Sequence, residues 1–330
     1  MRFLRTLSKG LRTQPRYTLM RMLARFGVAR DAVIEARSIL QSRRIAGFMG
    51  ECDSRMHESI FPALDRRAMV RDLREQGIAF GLKLPPSMVE EIRAWAAANP
   101  SYADRIENRG VAPGKLATAE MQLGKPILLA QYFNVRTQCP AVAKLAADPA
   151  INWIAAAYLR SVPTFVGSNL WWTYPVNATA EDRDLHAHLF HRDVDDFSFF
   201  KFFFYLTDVA AGEGAHVLVR GSHRRPPARN FADRWNIRRY SDDEIRATYD
   251  DRDVLEITGP AGTGFAENTL CIHKGRTPAT SARLLLQLQY ALFDYGNMHD
   301  ERDPAKLSCI TPEAPAARQS RFRGGPRTDR

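Results

Sequence analysis

Cysteine is scarce in this 330-residue chain. There are four, Cys52, Cys139, Cys271 and Cys309, and no two stand in CxxC spacing. That excludes a disulfide framework. A reducing compartment follows, and the cytoplasm is the expected location. Long apolar runs are missing too. The longest stretch without Asp, Glu, Lys or Arg is residues 161–180, and it contains Pro163, Asn169, Pro175 and Asn177, a poor membrane span. No compact apolar run with a small-residue cleavage site opens the chain, so a secretory leader is not expected. Repeats and low-complexity blocks are absent.

Acidic residues are missing from the first 30 positions, which hold eight basic residues; the first carboxylate is Asp31. Residues 315–330 hold five arginines and one acid, Asp329. The formal charge of +10 therefore sits at the ends, because residues 31–314 hold 34 basic and 36 acidic residues. A near-neutral body excludes a basic nucleic-acid footprint spread over the domain. Three readings fit the first 30 residues: an amphipathic helix for an anionic membrane surface or a partner, an organellar transit segment, or a solvated basic arm. The tail 315–330 has the composition of a disordered segment.

At 45% hydrophobic and 25% charged residues the chain is ordinary globular protein. We expect an arm (1–30), one domain (31–314) and a tail (315–330). Within the domain, residues 31–160 read as helical and 161–295 as strand-rich. Apolar spacing predicts a helix over 31–46 capped by Asp31, a strand over 77–84, and a helix after Ser87 that Pro100 stops. Asp148-Pro149 predicts another helix start. From Thr164 onward, aromatic and β-branched runs alternate with Gly, Pro, Asn and Asp. Strands are expected in TFVGSNLWWTY, FSFFKFFFYLT, AHVLVRG, DVLEIT, TLCIH and ARLLLQLQYALF, with one helix opened by the capping box at Ser241 and Glu244. Helices followed by many strands indicate an α+β protein with a sandwich or barrel core.

Three of the eight histidines fall within six residues, in LHAHLFHRDVDDF. In extended chain, residues i and i+2 share a face, so His191 and Asp193 can offer an imidazole and a carboxylate to one metal. His273, at the end of TLCIH, is the best second imidazole. Two histidines and one carboxylate leave octahedral positions open, the arrangement of non-haem Fe(II) oxygenases. The plain alternative is a surface turn. A rival set is His186-x-His188 with Asp193, a cupin-type pattern that leaves His273 unused. Ten residues after His273, Arg283 heads a strand in which Leu285, Gln287 and Gln289 share its face. A guanidinium there suits a bidentate carboxylate, supplied either by a dicarboxylate cosubstrate or by a protein Asp or Glu. Lys201, among phenylalanines, either snorkels at an edge or pairs with an anion inside.

These stretches together, HRD, YLTDV, GEGAHVLVRGSHR, GPAGTGFAENTLCIHKG and Arg283, resemble the phytanoyl-CoA dioxygenase family of Fe(II)/2-oxoglutarate-dependent oxygenases. The resemblance covers roughly residues 160–295. It implies a double-stranded β-helix, a cupin-like jelly-roll core over 161–295 with packed helices mainly from the first half. It implies that His191, Asp193 and His273 ligate iron and that Arg283 holds the distal carboxylate of 2-oxoglutarate. The resemblance makes His223 of the GSH turn structural, while Lys201, if interior, would contact cosubstrate or substrate. Gly212, Gly214 and Gly221 become turn residues. Asn268 departs from the Asp often seen before the distal histidine. The implied reaction is hydroxylation of an unactivated C–H of a small-molecule or acyl substrate by O2, with succinate and CO2 released. The retained carboxylate of Asp193 argues against halogenation. Two alternatives to this enzyme are a catalytically idle small-molecule-binding jelly roll and a cupin-type metalloenzyme using His186 and His188.

Overall fold

The strand ARLLLQLQY sets the architecture, because its alternation separates two chemistries. In the computed structural model, which describes residues 10, 12–225, 239–296 and 300–310, it forms β11, Arg283–Ala291. Leu284, Leu286, Leu288 and Tyr290 point to one side and are at most 1% exposed. Burying each contributes roughly 1.5–3 kcal/mol. They join Phe200, Phe202, Phe204 and Leu170 in a core closed by helices Arg66–Gln76, Pro86–Ala98 and Pro149–Leu159. Arg283, Leu285, Gln287 and Gln289 point the other way and line a cavity.

The other strands are β1 (Ile78–Lys83), β2 (Ser101–Ala103), β3 (Gly110–Val111), β4 (Leu129–Tyr132), β5 (Thr164–Thr173), β6 (Phe199–Tyr205), β7 (His216–Val219), β8 (Val254–Ile257), β9 (Thr263–Glu267) and β10 (His273–Gly275). Among the described residues they form an eight-stranded sheet, β1-β9-β6-β11-β5-β4-β2-β3, and a three-stranded sheet, β10-β7-β8. Every paired strand is antiparallel. The sheets meet over a second core in which Trp171, Phe203, Phe265 and Leu285 of the larger face Leu218 and Ile257 of the smaller. The molecule is thus mixed helix and antiparallel sheet, with helices outside the larger sheet.

Several expectations hold in detail. Asp148 caps its helix by accepting from Ala150 N (2.8 Å) and Ile151 N (3.2 Å). Ser241 and Glu244 form a reciprocal capping box. Gly212, Gly214 and Gly221 all have positive φ.

Others require correction. The helix expected from Asp31 starts at Gly27 and ends at Leu40. It breaks because Gln41 turns its Oε1 to Ser161 Oγ at 3.1 Å, and a second helix, Ser42–Ser54, follows. Ser87 caps nothing: Pro86 opens that helix and leaves Ser87 in its first turn. TLCIH is not one strand. Asn268 Oδ1 accepts from Leu270 N (3.1 Å), making a turn that delays pairing to His273. The first half also contributes sheet, in β1 to β4. The described part of the arm is no separate unit. Its helix Pro15–Leu23 buries Met20, and Met20 and Ala24 belong to the main core. Pro15 starts that helix, and Gln14 before it is non-helical. The remainder of the arm (1–9 and 11) and the tail 315–330 lie outside the described residues. Among those described, no helix is long and apolar enough to cross a membrane.

Candidate metal centre

His191 lies in an extended segment just before β6. It exchanges both backbone hydrogen bonds with His273 of β10, His191 N to His273 O at 2.9 Å and the reverse at 2.8 Å. Directly opposed residues project to the same side, so the imidazoles meet with centroids 4.3 Å apart and planes tilted by 53°. Asp193, two residues on, is anchored by its N–H to Thr269 O at 2.8 Å. Its Oδ1 lies 3.7 Å from His191 Nε2, and its Oδ2 lies 3.7 Å from His273 Nε2. Among the described residues, these three form the one His/Cys/Asp/Glu group with all donor atoms within 4.8 Å of one another.

The donor chemistry fits a divalent metal. His191 Nδ1 meets Leu189 O, and His273 Nδ1 meets Cys271 O, both at 2.9 Å. A carbonyl only accepts, so each Nδ1 carries a proton, and each Nε2, facing Asp193, is the ring atom placed to meet a metal. Burial, and then His273, pull the His191 pKa down to about 3, so the ring is neutral at pH 7. Burial raises the Asp193 carboxyl, but Lys201, His273 and His191 outweigh it and hold the group ionised. Metal–ligand bonds of about 2.1 Å separate adjacent donors by roughly 3–3.5 Å, so each 3.7 Å carboxylate–imidazole distance closes with a shift of a few tenths of an ångström.

Behind the cluster, Glu267 of β9 is fully buried. Its Oε2 lies 2.6 Å from His216 Nε2, and its Oε1 lies 3.5 Å from His273 Nδ1. His216 is itself pulled down by burial, against the opposing pull of Glu267. Sequence reading missed both residues. Glu267 ends a Gly-rich strand with weak alternation, and His216 looks like a core residue of AHVLV.

Arg283 is 2% exposed. It donates to the Gly214 carbonyl and to Thr173 Oγ1 (3.0 Å), and its Nε–H has no partner among the described residues. No carboxylate pairs with it among the described residues, which removes the internal salt bridge as its explanation. Burial drags its pKa down to about 10. Gly214, at φ +77, permits this contact, since a Cβ there would meet Pro278 at 2.8 Å. Lys201 does not snorkel. Its Nζ is 2.6 Å from Asp193 Oδ2 and 3.6 Å from Asp195 Oδ2. Burial lowers its pKa, and the two carboxylates more than reverse that.

The rival histidines stand apart from the cluster. His186 Nε2 meets Asp104 at 3.1 Å, and His188 Nδ1 meets Thr277 Oγ1 at 2.8 Å. His223 spans Cys271 Sγ (3.2 Å) and Arg74 O (3.1 Å), a structural role. The cluster, Arg283 and Lys201 open on one cavity of about 1060 Å³.

No protein-family model matches the chain, and no curated protein matches it. Solved structures are similar at low identity. AviO1 from Streptomyces viridochromogenes Tue57 is 19% identical over 77% of this chain and 99% of that one, with a TM-score of 0.44. The epimerase SnoN from nogalamycin biosynthesis, solved with Fe3+, alpha ketoglutarate and nogalamycin RO, is 16% identical over 68% of this chain and 82% of that one, at 0.46. HygX from Streptomyces hygroscopicus, solved with nickel, 2-oxoglutarate and hygromycin B, is 15% identical over 68% and 86%, at 0.42. Likeness at this level carries no argument about activity, and the functional conclusion rests on the chain's own residues.

Proposed function

We propose that the protein is a non-haem Fe(II)- and 2-oxoglutarate-dependent dioxygenase of the phytanoyl-CoA dioxygenase type. The observation that carries this reading is the coincidence, in one cavity, of the His191, Asp193 and His273 donor atoms with a buried guanidinium that has no counter-ion among the described residues. The strand order supports the double-stranded β-helix. From β5 onward the chain visits the larger sheet, then the His191 segment beside β10, then β6, β7 and β8, β9, β10 and β11, so the two sheets are filled largely in alternation.

His191, Asp193 and His273 would hold the metal through two neutral imidazoles and one ionised carboxylate. Iron in such a set supplies O2 activation coupled to decarboxylation of 2-oxoglutarate to succinate and CO2. Arg283 binds the distal carboxylate of the cosubstrate and fixes its orientation from the deep end of the cavity. Glu267 and His216 hold the His273 ring in place. Lys201 is committed to Asp193 and Asp195, so we assign it to holding the ligand carboxylate in position and not to the cosubstrate. Retention of Asp193 favours hydroxylation of an unactivated C–H over halogenation. The test is anaerobic Fe(II) loading followed by 2-oxoglutarate turnover in air, read as succinate. Iron-dependent succinate release that Asp193→Ala abolishes is expected. No iron uptake by the wild type, or equal uptake by Asp193→Ala, overturns the assignment.

A further inference from the structure

Most of the side chains that line the cavity are polar or charged. Among the described residues, the exceptions are two glycines, Trp171, Ala187, Phe203 and Leu285. Its floor is a row of carboxamides on adjacent strands. Gln287 of β11 opposes Asn169 of β5, and Asn169 Oδ1 accepts from Gln131 of β4 at 2.9 Å. Gln287 is 8% exposed, faces the cavity, and has no hydrogen-bond partner among the described residues. The indole N–H of Trp171, 9% exposed on the same floor, is likewise without one. Both groups face the cavity and are free to pair with a ligand that donates and accepts.

At the rim stands Arg105. It occupies a turn, Ala103 to Ile106, closed by Ile106 N to Ala103 O at 3.1 Å. Both central residues have positive φ, Asp104 at 55° and Arg105 at 62°, where Asn and Gly are favoured. Asp104 clamps the turn through Lys125 (3.0 Å), Arg109 (2.9 Å) and His186 (3.1 Å). Arg105 Nε donates to Gln131 Oε1 at 3.0 Å, and its two terminal nitrogens have no partner among the described residues. By contrast, Arg302 nearby is neutralised by Glu107 at 3.1 Å. A strained backbone position thus presents a guanidinium, fixed at one nitrogen, with a bidentate edge open to the cavity.

Resting on the oxygenase reading of the same site, we propose that the substrate is an oxygen-rich organic acid. Its carboxylate or phosphate is held by Arg105, and its hydroxyls by Gln287, Asn169 and the Trp171 N–H. A long acyl chain would leave these groups unpaired. The full-length chain, metal-free and with Ni2+, is titrated with glucuronate, glucose 6-phosphate, methyl glucoside and decanoate. Affinity at least tenfold tighter for the two hydroxylated acids than for the neutral sugar or the alkanoate is expected, and the two acids separate carboxylate from phosphate. Arg105→Asn, which the positive-φ turn accepts, removes that margin without lowering the thermal midpoint. Gln287→Leu weakens all three sugars. Preference for decanoate, equal affinity for charged and neutral sugars, or retention of no sugar overturns the proposal. So does an Arg105→Asn protein that loses 2-oxoglutarate while keeping the sugar acids. Failure of the oxygenase reading shows separately, as absent Fe(II) uptake or succinate, and leaves these binding ratios unchanged.

Discussion

Arg283→Gln separates function from structure at the deep end of the cavity. The wild-type guanidinium is buried, hydrogen-bonded to Gly214 O and Thr173 Oγ1, and without a counter-ion among the described residues. Burial lowers its pKa from 12.5 to about 10. At ~1.4 kcal/mol per pH unit, holding that charge without an anion costs on the order of 3 kcal/mol. A cosubstrate carboxylate relieves this cost and adds charge-assisted hydrogen bonds of about 1.5–3 kcal/mol each, while Gln keeps one neutral donor. The relieved burial cost alone makes the loss of affinity for 2-oxoglutarate at least about 3 kcal/mol, or two decades or more in Kd. Removing an uncompensated buried charge does not destabilise the fold, so the thermal midpoint should stay level or rise. Metal affinity should not move, because no ligand touches Arg283. The assay is titration of 2-oxoglutarate into Ni2+-loaded wild type and variant, with thermal melts of both. A Kd within threefold of wild type refutes the reasoning, as does a matching loss of metal affinity. A midpoint that falls by several degrees would make Arg283 a structural residue.

Three further outcomes follow from the same geometry. Glu267→Gln should weaken metal binding by about 10- to 100-fold through the His273 ring, measured by Ni2+ titration; unchanged affinity would remove Glu267 from the site. Lys201→Met leaves Asp193 and Asp195 without their cation. The metal-free protein should lose about 3 kcal/mol in denaturant unfolding while its metal affinity rises, and parallel changes in both would contradict that. The pH dependence also has a sign. His188 and His191, with pKa values near 3, stay neutral in the fold and charge in the unfolded chain below about 6.5, so their contribution is present above 6.5 and is lost as pH falls. Asp196, held up near 6 by burial, works the other way between about 6 and 4. Two histidines outweigh one carboxyl. The metal-free protein should lose stability from pH 7 to 5, with His188→Asn flattening the slope by up to about 1.4 kcal/mol per pH unit; an unaltered slope would refute the assignment.

What the sequence disclosed was local and periodic. Alternation along β11 separated Leu284, Leu286 and Leu288 from Arg283, Gln287 and Gln289, because a strand buried on both faces must sort its side chains. The i, i+2 relation placed His191 beside Asp193 for the same reason. Caps at Asp148 and Ser241 were legible because one side chain satisfies neighbouring backbone. The rest depended on partners distant in sequence. Glu267 gains meaning only where β9 brings it beneath His273. Arg105 reaches the cavity only because Asp104 and Arg105 adopt positive φ, which no glycine announces. Strands β2 to β4 are two to four residues long, too short for a period to register.

The central claim is that His191, Asp193 and His273 bind one metal ion. Calorimetric titration of the metal-free chain with Fe(II) under anaerobic conditions tests it most directly. One site per chain is expected, lost in Asp193→Ala and in His273→Ala but kept in His188→Ala. Binding that survives Asp193→Ala, or that His188→Ala abolishes, would contradict it.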